Sequence, residues 1–356
     1  MLRLRLAQFS LVLALAGLIV GCKSSSAGQV QKSNEAAPAV AAHSLTLGGY
    51  TTPREAYGKA IIPAFTKSFG ADGKREVKIS ESYLASGAQA RAILGGFEAD
   101  VAALSLEPDI EKLRKAGLIT RDWKAGEYGG MVTRSVVVIG VRPGNPKKIT
   151  NWQDLAKPGV AVLTPNVRTS GGAMWNVLAI YGALLRGQAG TPAADEKAAL
   201  DTLSKILKNV KVMDSGARDS MLNFERGVGD AIITYENEIL VSKVEGKAHE
   251  YVTPASTILI ENPLAIVDKN VDKHKNSEAT LAFVQFLYTP EAQRSFAKYG
   301  LRPVVPSVAQ EFESSFAKVE DLFTVRDLGD WATVTSKVFG KDGFYDKALE
   351  LSQGKK

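Results

Sequence analysis

Cysteine is almost missing from this chain: Cys22 is the only one in 356 residues. No disulfide can form within it, and beyond residue 22 no thiol remains for catalysis or metal binding. Histidine is nearly as scarce. His43, His249 and His274 stand in polar stretches, and none is near a sequence feature that suggests chemistry. The carboxylates show no ligand-like spacing, so neither a metal nor another cofactor is expected. Three signatures are absent: G-x-x-x-x-G-K-[ST], G-x-S-x-G and G-x-G-x-x-G. The 44 basic and 38 acidic side chains are interspersed, with a formal net charge of +6. They leave no basic stripe for nucleic acid. These absences point away from an enzyme and toward a binding protein.

Long apolar runs are missing too. The one near the start, Phe9 to Val20, is too short to span a bilayer and follows Arg3 and Arg5. It ends in Ile19-Val20-Gly21-Cys22, which resembles a bacterial lipobox. The expectation is a signal peptide over residues 1–21 and a lipid on Cys22. Residues 22–44 are rich in Ser, Ala and Gln without apolar periodicity, and read as a flexible tether.

What the remaining chain does contain is alternation. LTLGGY, EVKISESYL, ADVAALS, SVVVIGV, VAVLTPN, VKVMDS and GDAIITYENEI read as strands. Helical spacing fills the gaps, as in PREAYGKAIIPAFTKSF. Such alternation predicts an α/β fold with mostly parallel or mixed sheets.

Three loops share one layout: ASGAQAR at 85–91, TSGGAMW at 169–175 and DSGARDS at 214–220. Each follows a strand and opens a helix, the position at which open α/β sheets bind ligands. The first turn of a helix has N–H groups without intrahelical acceptors, and its dipole adds positive potential there. Glycine lets a ligand approach the backbone, and serine adds a hydroxyl. Three such loops together suit a small oxyanion held by donors.

The residues then become recognisable. TPNVRTSGGAMWN resembles a signature of sulfate-binding proteins, the periplasmic receptors of sulfate ABC transporters. GGYTTPREAYG, ISESYLASGAQA, VRPGNPKKITNWQDLAKPGVAVLTPN, KNVKVMDSGAR, ERGVGDAIITYENE and VTPASTILIENP follow in family order. The resemblance implies a two-lobe, type II periplasmic-binding-protein-like fold. An anion would lie in a cleft between two mixed-sheet domains joined by two crossing segments. Residues 45–130 and 261–350 would form lobe I, and 131–260 lobe II. The implied ligand contacts are Thr51, Ser86, Ser170, Gly171, Gly172, Ala217 and Tyr235. Arg218 would be a supporting residue that bonds backbone carbonyls. Permease subunits are the implied protein partners, the membrane is reached only through Cys22, and a monomer is expected.

Departures from the family pattern bear on selectivity. Thr51 replaces an Asp, and Val167, Arg168 and Met174 replace a Pro, a Lys and an Arg. Tyr235 stands where sulfate receptors carry Trp. An indole N–H only donates, whereas a phenol donates or accepts. Receptors for molybdate, thiosulfate or phosphate, and a phosphoryl or sulfuryl hydrolase, are the alternatives. Asp214 reads as a cap, and Trp123, Trp152, Trp175 and Trp331 read as packing residues.

Overall fold

A strand that buries alternate residues needs something to bury them against. In β1 (Ala41–Tyr50) Leu45 and Leu47 point into a core with Phe65, Phe283 and Phe296. The same strand needs glycine near its end, because a methyl group on Gly49 would lie 2.7 Å from the Tyr83 ring. The computed structural model describes residues 41–189, 192–247 and 249–354. The leader, Cys22 and most of the tether lie outside the described residues. β1 begins at Ala41, so residues 41–44, including His43, belong to the sheet rather than to the tether: they pair with Arg75–Lys78.

The remaining strands are β2 (Arg75–Leu84), β3 (Val101–Ala103), β4 (Met131–Val141), β5 (Val162–Pro165), β6 (Val210–Asp214), β7 (Ala231–Tyr235), β8 (Glu250–Val252), β9 (Ser256–Ile266), β10 (Arg302–Pro303) and β11 (Asp321–Phe323). β8 and β10 pair with β4, and β11 pairs with β9; the others form one path. Their spatial order is β2-β1-β3-β9-β4-β7-β5-β6. β2, β1 and β3 form one parallel trio, and β7, β5 and β6 form another. The antiparallel β9–β4 pair stands between them.

Both middle strands change partners along their length. β4 pairs with β9 up to Val136 and with β7 from Val137 onward. β9 pairs with β4 through Leu259–Pro263 and with β3 through Leu264–Ile266. These two strands are therefore the segments that cross from one trio to the other. β4 reads MVTRSVVVIGV, buried throughout except at Arg134, as expected of a strand covered on both faces. A second large core, including Val137, Ile139, Trp152, Trp175 and Leu178, packs against its second half.

Most expected elements are present. The helical reading of residues 53–69 holds, but the helix widens into a π-turn at Tyr57–Ile61. Pro63 stands two residues beyond it; it has no N–H and its ring disfavours a regular preceding turn. The strand read through GDAIITYENEI stops at Tyr235, and ENEI opens α-helix Glu236–Val244. Among the described residues, no helix is long and apolar enough to cross a membrane.

Candidate functional site

The parallel strands of both trios run toward the Ser-Gly loops. β2 leads through Ala85 into α1 (Ser86–Leu94). β5 leads through residues 166–170 into α2 (Gly171–Leu185), with Ser170 as its N-cap. β6 leads through Ser215 and Gly216 into α3 (Ala217–Glu225). β7 ends at Tyr235, the N-cap of α4 (Glu236–Val244). Thr51 follows directly on β1.

These ends meet. A methyl group on Gly172 would stand 2.8 Å from Tyr235 Cε2, 3.3 Å from Ala217 Cβ and 3.4 Å from Ser170 Oγ. One on Gly216 would stand 3.4 Å from Ala85 Cβ and 3.8 Å from Thr51 Oγ1. One on Gly87 would stand 3.1 Å from the Thr169 carbonyl oxygen. The three loops, Thr51 and Tyr235 thus share one small region, with α1 from one trio facing α2 and α3 from the other. All seven expected residues lie in or beside it.

The two serines differ. Ser170 Oγ accepts a hydrogen bond from the Ala173 N–H at 3.3 Å, which leaves its own proton free to donate. Ser86 Oγ is fully engaged: it donates to Asp109 Oδ2 at 2.7 Å and accepts from the Ser105 N–H at 3.0 Å. Ser86 therefore offers only its backbone N–H, at the first position of α1. Gly171, Gly172 and Ala217 occupy first-turn positions in the same way.

Charge is arranged around the region without entering it as a free group. Arg218 lies 2.9 Å from Glu55 Oε2 and donates to the Thr52 carbonyl at 3.4 Å. Its Nε is 3.2 Å from Glu238 Oε2. Burial pulls the Arg218 guanidinium down, but Glu238 and Glu55 outweigh it and hold its pKa above the usual value. Burial pushes Glu238 up, with Arg218 opposing. The cation is committed to carboxylates and a carbonyl, as a supporting residue should be.

Asp214 accepts from Ser220 Oγ at 2.8 Å and Asn223 Nδ2 at 2.6 Å, so its carboxylate is occupied, but by side chains rather than as the expected cap: Gly216 is the N-cap of α3 and no side chain caps it. Trp123, Trp152 and Trp175 are buried, and Trp331 packs edge-on against Trp175 with ring centroids 4.9 Å apart. His274 sits between Glu98 and Asp100, away from the loops. No group of three or more metal-ligating side chains occurs among the described residues.

Sequence reasoning missed Ser105 and Asp109. Ser105 follows β3 and touches both halves of the region. Its N–H reaches Ser86, its carbonyl accepts from Trp175 Nε1 at 3.0 Å, and its Oγ lies 2.6 Å from Tyr235 Oη. The available signal was its place at the end of ADVAALS, another strand in the same parallel trio.

The arrangement can hold a small anion by donors from several chain segments. A family pattern described as bacterial extracellular solute-binding protein matches residues 45–302. A sulfate-binding protein of Synechococcus elongatus is 42% identical over 313 residues, 87% of this chain and 88% of its own length. A thiosulfate-binding protein of Escherichia coli is 35% identical over 317 residues, 87% of this chain and 92% of its own. The solved structure of the sulfate-binding protein SubI from Mycobacterium tuberculosis matches with a TM-score of 0.76 at 39% identity, over 83% of this chain and 99% of that one.

Fold and site together define a solute-binding protein of the mixed α/β periplasmic type, a class that binds without catalysing. That removes the hydrolase alternative. Within the class, the chain belongs to the sulfate-binding protein family.

Proposed function

We propose that this protein captures sulfate outside the cytoplasm and delivers it to an ABC permease for import. The observation that carries this reading is the meeting of three helix N-termini at one point. Around them the nearby carboxylates already hold other partners and the one buried guanidinium is neutralised. The proposed donors are the backbone N–H groups of Thr51, Ser86, Gly171, Gly172 and Ala217, the Ser170 hydroxyl and the Tyr235 hydroxyl. Sulfate carries no proton at neutral pH, so a set made only of donors suits it. The names of the relatives support the same ligand.

In this reading residues 45–130 and 261–320 form one lobe and 131–260 the other, hinged at β4 and β9; the stretch from Asp321 to Ala348, expected in the first lobe, packs instead on the core of the second through Phe323, Val334, Val338, Phe344 and Tyr345. Cys22 carries the lipid that tethers a monomer to the membrane. Calorimetric titration of residues 23–356, first freed of bound anion, is the test. Sulfate binds and phosphate competes poorly; a thiosulfate arm distinguishes the two names found among the relatives. Absence of sulfate binding overturns the reading. Mass spectrometry of the protein recovered from membranes checks the lipid on Cys22.

A further inference from the structure

Tyr235 and Ser105 face each other as two hydroxyls, 2.6 Å apart and both essentially excluded from solvent. Geometry alone leaves the direction of that hydrogen bond open. In the ligand-free protein each hydroxyl has only the other as partner among the described residues, so either direction leaves one proton over and the ligand decides it. Among the described residues, Tyr235 Oη is the only acceptor within reach of the Ser105 hydroxyl proton. With an anion bound beside Gly172, Tyr235 donating to the anion leaves both protons paired, whereas Tyr235 donating to Ser105 leaves the serine proton buried without a partner, which is costly. Burial keeps the phenol protonated by raising its pKa.

The Tyr235 proton then turns away from Ser105, toward the region its ring already borders: its Cε2 is the nearest atom to a methyl group built on Gly172. We propose that Ser105 is a positioning residue for selectivity: by donating to Tyr235 Oη, it fixes the phenol as a donor to the bound oxyanion. The inference rests on the oxyanion-receptor reading above. It removes the ambiguity that a phenol brings to a donor-only site. A fully deprotonated anion completes the chain Ser105 to Tyr235 to ligand, with every proton placed. A protonated anion, such as monohydrogen phosphate, would have to give its proton to Tyr235. That reverses the chain and strands the serine proton.

The two strand ends that bring these hydroxyls together belong to different trios. Ser105 follows β3 and Tyr235 ends β7. A backbone frame holds Ser105 in place from both sides: its N–H bonds Ser86, and its carbonyl accepts from Trp175 and Asn262. The side chain is therefore presented to Tyr235 rather than free to turn elsewhere.

The test is a set of double-variant cycles, read by calorimetric titration with sulfate. Ser105→Ala weakens the wild type by about 3- to 10-fold, the value of an ordinary hydrogen bond. Tyr235→Phe weakens it by roughly 10- to 100-fold, as for a bond to a charged group. It also strands the Ser105 proton. Adding Ser105→Ala to Tyr235→Phe therefore tightens binding, by about 3-fold or more.

Tyr235→Trp provides a second background, because an indole donates but offers Ser105 no in-plane acceptor. There too Ser105→Ala tightens binding. A residue that only packs would weaken all three backgrounds alike, so equal losses in each overturn the proposal. If one Tyr235 variant does not fold, as judged by its melting curve, the other background decides. No sulfate binding by the wild type overturns both this proposal and the reading beneath it. Wild-type binding with additive losses overturns this proposal alone.

Discussion

The Ser86 hydroxyl donates to Asp109 across 2.7 Å, and so is turned away from the point where the three helix N-termini meet. Ser170, in the matching place on the second loop, uses its oxygen to cap α2 and keeps its proton free. The two serines therefore fail differently when removed. Ser170→Ala lowers sulfate affinity by about 10- to 100-fold, because it deletes a bond to a charged ligand. Ser86→Ala leaves the buried Ser105 N–H without its acceptor and costs about 1–3 kcal/mol of stability, with a smaller loss of affinity. Paired calorimetry and urea denaturation separate the two. Equal affinity losses would place both hydroxyls on the ligand.

Gly172 carries a second contrast. It lies in the first turn of α2, where alanine favours the helix, so a methyl group costs nothing in backbone conformation. It would instead crowd Tyr235 and Ala217 across the site. Gly172→Ala should lower ligand-free stability by about 1–3 kcal/mol, the cost of overpacking, and weaken sulfate binding as well, because Tyr235 must shift to make room. An unchanged affinity would remove this glycine from the cleft.

Arg302 forks onto the buried Glu236 at 2.8 and 3.0 Å, and Glu236 also accepts from the Ala317 N–H at 3.1 Å. Arg302→Ala leaves a carboxylate buried at the start of α4. Losing one partner of a buried pair costs about 3–5 kcal/mol. The urea midpoint should fall accordingly. Because Glu236 follows Tyr235 directly, affinity should fall as well.

Acid should act through Asp154, which caps the short helix Trp152–Ala156. Burial pushes its carboxyl up, but the Lys157 ammonium and the Thr150 and Asn151 donors outweigh burial and hold it at about 2. The folded value lies below the ordinary 3.8, so the stabilisation is present above that value and is lost as pH falls through about 2. It is worth about 2 kcal/mol. Asp154→Asn should lower stability near pH 7 by about this amount and flatten the acid limb of the stability curve. An unchanged slope between about pH 5 and pH 2 would assign the acid sensitivity elsewhere.

Ligand linkage gives the broadest check. An anion bound only by the folded state at about 100 times its dissociation constant adds about 2.7 kcal/mol. Sulfate should raise the melting temperature by a few degrees, and chloride should not.

Much of this protein is written locally. The alternation of strands and helices and the three Ser-Gly openings depend on neighbours within a few residues, so sequence alone determined them. Ala217, recognisable by resemblance, also opens a predicted helix, whereas Tyr235 lay inside the strand read through GDAIITYENEI. The strand end at Tyr235 was harder, because ENEI has no turn residue to mark where β7 stops. β9 was legible only by resemblance to family segments.

Tertiary structure decided the rest. β4 and β9 become crossing strands because each exchanges one partner for another midway, and no local pattern encodes a change of partner. Ser86 and Ser170 look alike in sequence. They diverge because Asp109, 23 residues from Ser86, takes one hydroxyl and nothing comparable takes the other. Ser105 meets Tyr235 across 130 residues of chain. Hydrogen-bond direction in a buried site depends on every acceptor within about 3 Å, and only the folded chain determines which acceptors those are.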